Sequence, residues 1–562
     1  MRRNVMRVVL GGLFWVLCGC GDPVAVEQSA EVKQTLAQRA GAPLFTGMGS
    51  FHMPITTRDT DAQRYFDQGM VLAFGFNHAE SIRSFRAAQT LDPDCAMCFW
   101  GEALATGPNI NVTNNGKAVM TPEDRVSARA AIDSALTLVD GVSPKERSWI
   151  LALDKRYDGH SETPRDPLDH AWADSLAAMV DAYPDDMTVA AVYAEALMNT
   201  MPWDYWGPSG EAKPDTQAVI KSLERVMAAD PEHPLALHLY IHALEASSNA
   251  QKAEVAADRL ADLVPGSGHL VHMPSHIYFR VGRYQDAALA NQRAADIDEA
   301  YIAECNAQGF YPALYYPHNI HFLWASATMQ GQSELSLESA RRVVENVKIE
   351  QVESFPTIQF FRTVPMLSLV RFARWEAILL EPEPYAPFAF ARAIWHYGRG
   401  VASAAMGDAQ AALDELAAIE RLEPEVDEIF MGNVYPAKDL LAIAKSLLRG
   451  EIAYRTGTAA GAVTLFAEAV ALQDALPYTE PPFWYYPTRQ SLGAALLADG
   501  RAAEAQVVFE KDLEQYPMNG WSLYGLTEAL RVQGDTAAAE SAQRRFDIVW
   551  QFADVTLSTS IL

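Results

Sequence analysis

The sequence is poor in basic residues for its length. Its 562 residues include 44 lysines and arginines against 71 aspartates and glutamates, so the formal net charge is −27 at pH 7. A surface of this sign repels the phosphate backbone of DNA and RNA. We therefore expect no nucleic-acid partner, whereas the acidity suits a cationic ligand or a metal ion.

Several catalytic signatures are missing as well. The chain has no P-loop, no glycine-rich dinucleotide motif and no ordered Ser-His-Asp set. Cys95 and Cys98 have the spacing of a covalent haem motif, but no histidine follows Cys98. These absences leave the corresponding enzyme and cofactor classes without support, and they leave open whether the protein is an enzyme.

Long apolar runs are missing beyond the N-terminus, where no later stretch reaches the roughly 18 apolar residues that a membrane-spanning helix needs. The chain begins like a secretory signal, with a short apolar run after a basic segment that contains Arg2, Arg3 and Arg7. The stretch Leu17-Cys18-Gly19-Cys20 resembles the bacterial lipobox. The resemblance implies that residues 1–19 are removed and that a lipid on Cys20 anchors the chain in the cell envelope of a bacterium, facing the periplasm or the outer membrane. The alternative is an ordinary secretory signal that is cleaved further on.

Three cysteines remain after Cys20, namely Cys95, Cys98 and Cys305. In an oxidising envelope compartment, a Cys-x-x-Cys pair can form a local disulfide or can supply two soft metal ligands. For Cys95 and Cys98 we favour a disulfide or a resting pair of thiols.

Helix-forming residues dominate the chain, and no run of alternating β-branched residues is long enough for a sheet. Within this all-α pattern, a set of small and aromatic residues recurs, and its first copy is Tyr65, Gly69, Phe85, Ala88 and Pro93. The spacing resembles the tetratricopeptide repeat, a helix-turn-helix unit of about 34 residues. Later copies contain Gly400 with Ala412, Gly450 with Phe466, and Gly493 with Phe509.

The resemblance implies an α-solenoid over residues 59–550, in which stacked repeats bury a continuous core. Residues 20–58 would then be a tether and lead-in, and 551–562 a C-terminal tail. Insertions rich in proline and aromatic residues interrupt the repeats at 201–215, 309–317 and 476–490. These insertions either pack over the solenoid as loops or form a lid or aromatic wall over its concave groove.

Histidine is concentrated in one part of the chain. Seven of the 13 histidines lie between Leu235 and Ala325, and they are His238, His242, His269, His272, His276, His318 and His321. Residues three or four apart project from one face of a helix, which allows two imidazoles to bind one divalent metal ion. A single histidine on an apolar face is usually a core residue. Spaced pairs in consecutive segments instead favour a binding site.

In tetratricopeptide proteins, one face of each first helix lines the concave groove. The resemblance places all seven histidines on this face in three adjacent repeats. Pro274 is a misfit, because it would kink the first helix of its repeat or start that helix late. The metal ligands that we expect are His238, His242, His272, His276, His318 and His321.

Two kinds of function are compatible with this pattern. In the first, the histidines bind a transition metal such as copper, zinc or iron. Glu195 or Glu245 could then act as a further ligand, as an orienting group or as a base, and an open coordination position would suit a metal-dependent hydrolase or oxidase. In the second, the groove binds a peptide or protein of the envelope without metal, and the histidines supply hydrogen bonds and stacking.

Overall fold

The computed structural model describes residues 35–562 except 115–116, 161, 208–209, 306, 308 and 427–434. Helices occupy most of this part of the chain, and its one sheet is an antiparallel hairpin of β1 (Thr113–Asn114) and β2 (Lys117–Ala118). Cys20, the expected signal and residues 21–34 of the tether lie outside the described residues. No helix in the described part is both long and apolar enough to cross a membrane.

The helices of the first half are α1 (Leu36–Ala40), α2 (Thr60–Phe74), α3 (His78–Leu91), α4 (Ala96–Thr106), α5 (Pro122–Thr137), α6 (Pro144–Asp154), α7 (Arg165–Ala182), α8 (Met187–Thr200), α9 (Pro214–Ala229), α10 (Pro234–Glu245), α11 (Glu254–Leu260), α12 (Gly268–His272), α13 (Pro274–Arg280) and α14 (Tyr284–Cys305). Short 3₁₀ segments at Val139–Gly141 and Ala250–Ala253 join some of them.

The helices of the second half are α15 (Tyr316–Met329), α16 (Ser333–Asn346), α17 (Ile349–Ser354), α18 (Val364–Arg371), α19 (Trp375–Leu380), α20 (Ala389–Ala405), α21 (Ala409–Leu422), α22 (Ala437–Arg455), α23 (Ala459–Asp474), α24 (Arg489–Ala498), α25 (Ala502–Gln515), α26 (Gly520–Gln533) and α27 (Thr536–Trp550). A π-helical turn, Tyr311–Tyr315, precedes α15, and 3₁₀ segments lie at Pro356–Thr363 and Glu423–Glu425.

Successive helices pack against each other along the chain, which confirms the expected all-α solenoid of tetratricopeptide type. Phe85 on α3 shows how the pattern works, since it lies against Gly69 on α2 and Gly101 on α4. A Cβ atom at these two glycines would come within 2.7 and 2.3 Å of the Phe85 ring. Phe509 on α25 lies in the same way between α24 and α26. The glycines of the repeat therefore allow the close approach of neighbouring helices.

The helices from α2 to α14 curl into a closed turn, because the start of the chain returns to α10 and α12. The Gly266 N–H donates to the Gly47 carbonyl at 2.8 Å. At the end of α2, the Phe74 carbonyl accepts a hydrogen bond from His238 on α10 at 2.6 Å. This turn encloses one hydrophobic core.

A second closed turn runs from α15 to α27. Trp521 Nε1 on α26 donates to the Thr328 carbonyl on α15 at 3.1 Å. Beyond α27, the Asp554 carboxylate accepts from the N–H groups of Ser333 and Glu334 at 2.7 and 2.9 Å, at the N-terminus of α16. The second turn has its own hydrophobic core, and α13 and α15 lie where the two turns meet.

Pro274 interrupts the first helix of its repeat, as the sequence predicts. The structure has α12 before it and α13 from Pro274 onward, with Met273 between them. Met273 keeps helical dihedral angles, with φ of −51° and ψ of −38°. Both halves remain buried and both carry histidines.

The sulfur atoms of Cys95 and Cys98 are joined as a disulfide at the start of α4. Both residues are fully buried between α2, α3 and α4. Cys305 at the end of α14 is partly buried and carries a free thiol. Among the described residues, none of these three cysteines belongs to a group of side chains that could hold a metal ion.

The contact of Phe85 with two glycines generates a stability prediction. Phe85 is fully buried, so Phe85→Ala leaves a cavity between α2 and α4 and should lower the free energy of unfolding by about 3–5 kcal/mol. Urea denaturation followed by circular dichroism measures the change. The control is Phe355→Ala, because Phe355 is 45% exposed. Equal stability of the two variants would contradict this packing scheme.

Candidate metal centre

The histidine-bearing helices lie in the interior at the junction of the two turns. His238, His242 and Glu245 are on α10, every residue of which is buried. His269 and His272 are on α12, and His276 is on α13. His318 and His321 are on α15. Six of these histidines form two groups, in each of which three nitrogen atoms lie within 4.8 Å of one another.

The first group consists of His238, His242 and His269. The ring centroid of His238 lies 4.8 Å from that of His242 and 5.1 Å from that of His269. Phe76 covers the group, with its centroid 4.6 Å from His238 and 5.3 Å from His269. Phe76 itself has a left-handed backbone with φ of 57°, a conformation that a bulky residue adopts only where its surroundings impose it.

The second group consists of His272, His276 and His318. The centroid of His272 lies 4.7 Å from that of His276 and 4.8 Å from that of His318. His276 and His318 are 5.8 Å apart. Phe322 packs against all three rings, at centroid distances of 5.0 to 5.9 Å. The two groups are adjacent, since the rings of His269 and His272 are 5.7 Å apart.

Four of the rings are held by a hydrogen bond from Nδ1 to an oxygen atom. His238 donates to the Phe74 carbonyl at 2.6 Å and His272 to Asn291 Oδ1 at 2.5 Å. His242 donates to Glu245 Oε1 at 2.7 Å and His276 to Glu245 Oε2 at 2.5 Å. Because these oxygens accept, each Nδ1 carries the proton and each Nε2 keeps its lone pair.

The Nε2 atoms face one another or lack any partner. In the first group, Nε2 of His238, Nε2 of His242 and both nitrogens of His269 are buried without a hydrogen bond. In the second group, Nε2 of His272 lies 2.8 Å from Nε2 of His276. Two nitrogens at this distance need a proton or a metal ion between them, because two lone pairs would repel each other. Two nitrogens that bind one ion tetrahedrally at 2.0–2.1 Å are about 3.3 Å apart, which is close to this spacing.

Burial keeps the histidines neutral. It lowers the pKa of His238, His269, His272 and His318 well below the usual value, and the neighbouring imidazoles lower it further. Burial would raise the pKa of Glu245, but the His276 and His242 rings that face it hold that pKa below its usual range. At neutral pH these four imidazoles are therefore uncharged, which is the state that binds a metal ion.

All three insertions of the sequence reach this cluster. Trp203, from 201–215, lies with its ring 5.3 Å from His242. Tyr315, from 309–317, lies 4.8 Å from His269. Glu480, from 476–490, brings Oε2 to 3.6 Å from His276 Nδ1. The insertions were expected either to pack over the solenoid as loops or to form a lid or aromatic wall. The contacts of Trp203 and Tyr315 fit an aromatic wall.

The structure brings together five of the six histidines that the sequence predicts as ligands. His238, His242, His272, His276 and His318 belong to the two groups, but His321 belongs to neither. Its ring stacks on Trp324 at 5.0 Å and meets Phe361 at 5.4 Å, so it faces an aromatic pocket of the second turn. His321 lies only about 60° around α15 from His318, but Trp324 and Phe361 occupy the space beside its ring.

Two residues of these groups were not predicted as ligands from the sequence. His269 was left out of the ligand set because Pro274 obscured the register of its helix. The structure places it in the first group through α12, which ends before the proline. Glu480 forms a third group of potential ligands with Glu245 and His276, and its position in a distant loop gave no local signal.

The two glutamates suggested by the sequence differ in their placement. Glu245 is fully buried and accepts one hydrogen bond from each histidine group. Glu195 on α8 belongs to none of the ligating groups among the described residues. Burial raises the pKa of Glu195 to about 7, although Arg156 opposes this shift. Glu245 is thus an orienting group for the cluster, and Glu195 stands apart from it.

No protein-family model and no curated protein matches this chain. Among solved structures, the human IFIT1 dimer with m7Gppp-AAAA is similar to 88% of this chain and 92% of that one, with 11% identity and a TM-score of 0.32. Yeast Tom70 is similar over 87% and 90%, with 12% identity and a TM-score of 0.26. The TPR domain of P58(IPK) covers 85% and 99%, with 12% identity and a TM-score of 0.22. Scores this low carry no argument about function, and the fold assignment rests on the helix packing described above.

The position of Glu245 between two histidines predicts the effect of Glu245→Gln. An amide offers one acceptor oxygen in place of two, so one buried imidazole N–H loses its acceptor. We expect the metal-free variant to lose about 1.5–3 kcal/mol of unfolding free energy at pH 7. Urea denaturation in the presence of a chelator measures it, with the exposed Glu232→Gln as control. If both variants match the wild type, the two hydrogen bonds do not support the cluster.

Proposed function

We propose that this protein is a helical-repeat scaffold that holds a transition metal in the histidine cluster. One observation carries the proposal: four buried imidazoles are fixed through Nδ1, and their Nε2 atoms are turned toward one another or left without a partner. Metal-bound histidines are oriented in this way, with a carboxylate or carbonyl on the far nitrogen. A buried polar atom without a partner destabilises a protein, so the arrangement needs a ligand to explain it.

The donor set narrows the choice of metal. Imidazole nitrogen suits copper, zinc and iron, whereas calcium and magnesium prefer oxygen ligands. The groups contain histidine and glutamate, and no cysteine among the described residues joins them. The cluster therefore lacks the thiolates that would favour copper(I) or an iron–sulfur cluster.

The burial of the histidines favours a metal ion over a peptide as their ligand. His238 and His272 are 0% exposed, and His242 and His269 are 2% exposed. A peptide cannot reach such rings without opening the junction between the turns, whereas a metal ion can lie among them. An envelope protein or peptide that binds this chain would accordingly use other surfaces.

The geometry also supports a chemical role for the bound ion. A metal held by three imidazoles keeps an open coordination position, at which it acts as a Lewis acid or activates water or oxygen. Trp203, whose ring lies 5.3 Å from His242, is 42% exposed. Glu245 fixes the orientation of His242 and His276. A metal-dependent hydrolase or oxidase is thus the enzymatic form of this proposal.

The proposal predicts that the purified protein carries metal. We expect at least one equivalent of zinc, copper or iron per chain when expression is supplied with all three. His238→Ala combined with His242→Ala should remove at least one equivalent, because it deletes two ligands from one helix. Elemental analysis by mass spectrometry measures the metal, and circular dichroism confirms that the helices are retained.

The matched control is His321→Phe. It removes an imidazole from the same part of the chain while it keeps the aromatic packing on Trp324, and it should carry as much metal as the wild type. A metal-free wild type, or full metal in the His238→Ala/His242→Ala variant, would contradict the proposed function.

We further propose that the scaffold is held in the bacterial cell envelope by a lipid on Cys20. The motivation is the lipobox-like stretch Leu17-Cys18-Gly19-Cys20. A site in the envelope would place the cluster in a compartment that is compatible with the Cys95–Cys98 disulfide.

Lipidation is tested on the membrane-extracted protein. Mass spectrometry should find a diacylated or triacylated N-terminal Cys20, and Cys20→Ser should move the chain from the membrane fraction to the soluble fraction. Cys305→Ser is the control and should stay in the membrane fraction. A mature N-terminus at another residue would rule out this anchor.

A further inference from the structure

We infer that the cluster is two metal sites that share Glu245, one built from His238, His242 and His269 and the other from His272, His276 and His318. The inference rests on the proposed function and adds the number of ions, their separate ligand sets and the different chemistry of the two sites.

Distance is the first argument for two ions. A metal that binds nitrogen at 2.0–2.1 Å cannot have two ligand nitrogens more than about 4.2 Å apart. Within each group, the nitrogens lie within 4.8 Å of one another, so small side-chain adjustments bring them into range. In the described part of the chain, no ligating group combines histidines from both sets. Six imidazoles also exceed the three or four that a zinc or copper ion takes from a protein.

The hydrogen bonds of Glu245 are the second argument. Its Oε1 accepts from His242 in the first group, and its Oε2 accepts from His276 in the second. Each oxygen therefore orients one ligand of a different ion. Glu245 is 0% exposed, so both of its oxygens depend on these two protein donors.

The two sites differ in the side chains that surround them. The first group contains imidazoles alone, under the aromatic rings of Phe76, Tyr315 and Trp203. The second group has a further carboxyl group behind one of its rings, because Glu480 Oε2 lies 3.6 Å from His276 Nδ1. Glu480 Oε2 is buried without a hydrogen-bond partner. Since His276 Nδ1 also faces Glu245, Glu480 lies on the side of the ring that orients His276, and the first group has no second carboxyl group of this kind.

The test counts ions with variants that leave the anchoring hydrogen bonds intact. His269 has neither ring nitrogen in a hydrogen bond, and His318 supplies none of the four Nδ1 contacts described above. We choose His269→Gln for the first site and His318→Gln for the second. Each is made in the full chain, stripped with a chelator and titrated with Zn²⁺ against a competing chelator of known affinity.

Two equivalents are expected for the wild type. In each single variant, one equivalent should be retained at wild-type affinity, and the other should be lost or bound at least about 10-fold more weakly. Glu480→Gln should weaken the same equivalent as His318→Gln and leave the other unchanged. His321→Phe should bind two equivalents, and circular dichroism checks that every variant remains folded.

Two results would overturn the inference, and they have different meanings. A wild type that binds one equivalent, weakened equally by His269→Gln and His318→Gln, has a single shared ion, and the proposed function survives. A wild type that binds no metal above the level of adventitious surface binding removes the inference together with the proposed function.

Discussion

Glu245 is a carboxylate without solvent exposure that holds two histidines from different helices. Transfer of an isolated carboxylate from water to a protein interior is unfavourable by several kcal/mol, and hydrogen bonds and nearby positive charge offset it. The fold meets this requirement by bringing α10 and α13 together at a fixed distance. The orientation of His242 and His276, and with it the geometry of both histidine groups, depends on this one side chain.

The architecture explains why such a group can be buried at all. In an ordinary solenoid, each repeat contacts its neighbours and the concave face is open to water. Here each half of the chain closes on itself, and the ends of distant helices cover what would otherwise be the groove. Phe74 and His238, which are 164 residues apart in sequence, share a hydrogen bond as a result. The polar groups of the groove thereby become the interior of the junction.

The repeat pattern of the sequence predicts most of the fold, because close helix packing needs glycine where a phenylalanine such as Phe85 approaches. The helical spacing of the histidines also predicts five of the residues in the two groups. Their division into two groups depends on the closure of the turns, which no local pattern encodes. His321 shares a helix face with His318 but lies against Trp324 and Phe361, since a helix inside a closed turn has partners on every side. Glu480 belongs to an inserted loop, whose path is set by tertiary contacts.

The contact of Asp554 with the N-terminus of α16 has a consequence for how this chain can change in evolution. Open solenoids gain and lose repeats readily, since an added unit only lengthens the array. A closed turn has a fixed circumference, and one additional helix pair would carry Asp554 past the N–H groups that it accepts from and Trp521 past Thr328. We therefore expect the number of repeats in each half to be held constant among descendants of this chain, while the loops on its outer surface vary in length.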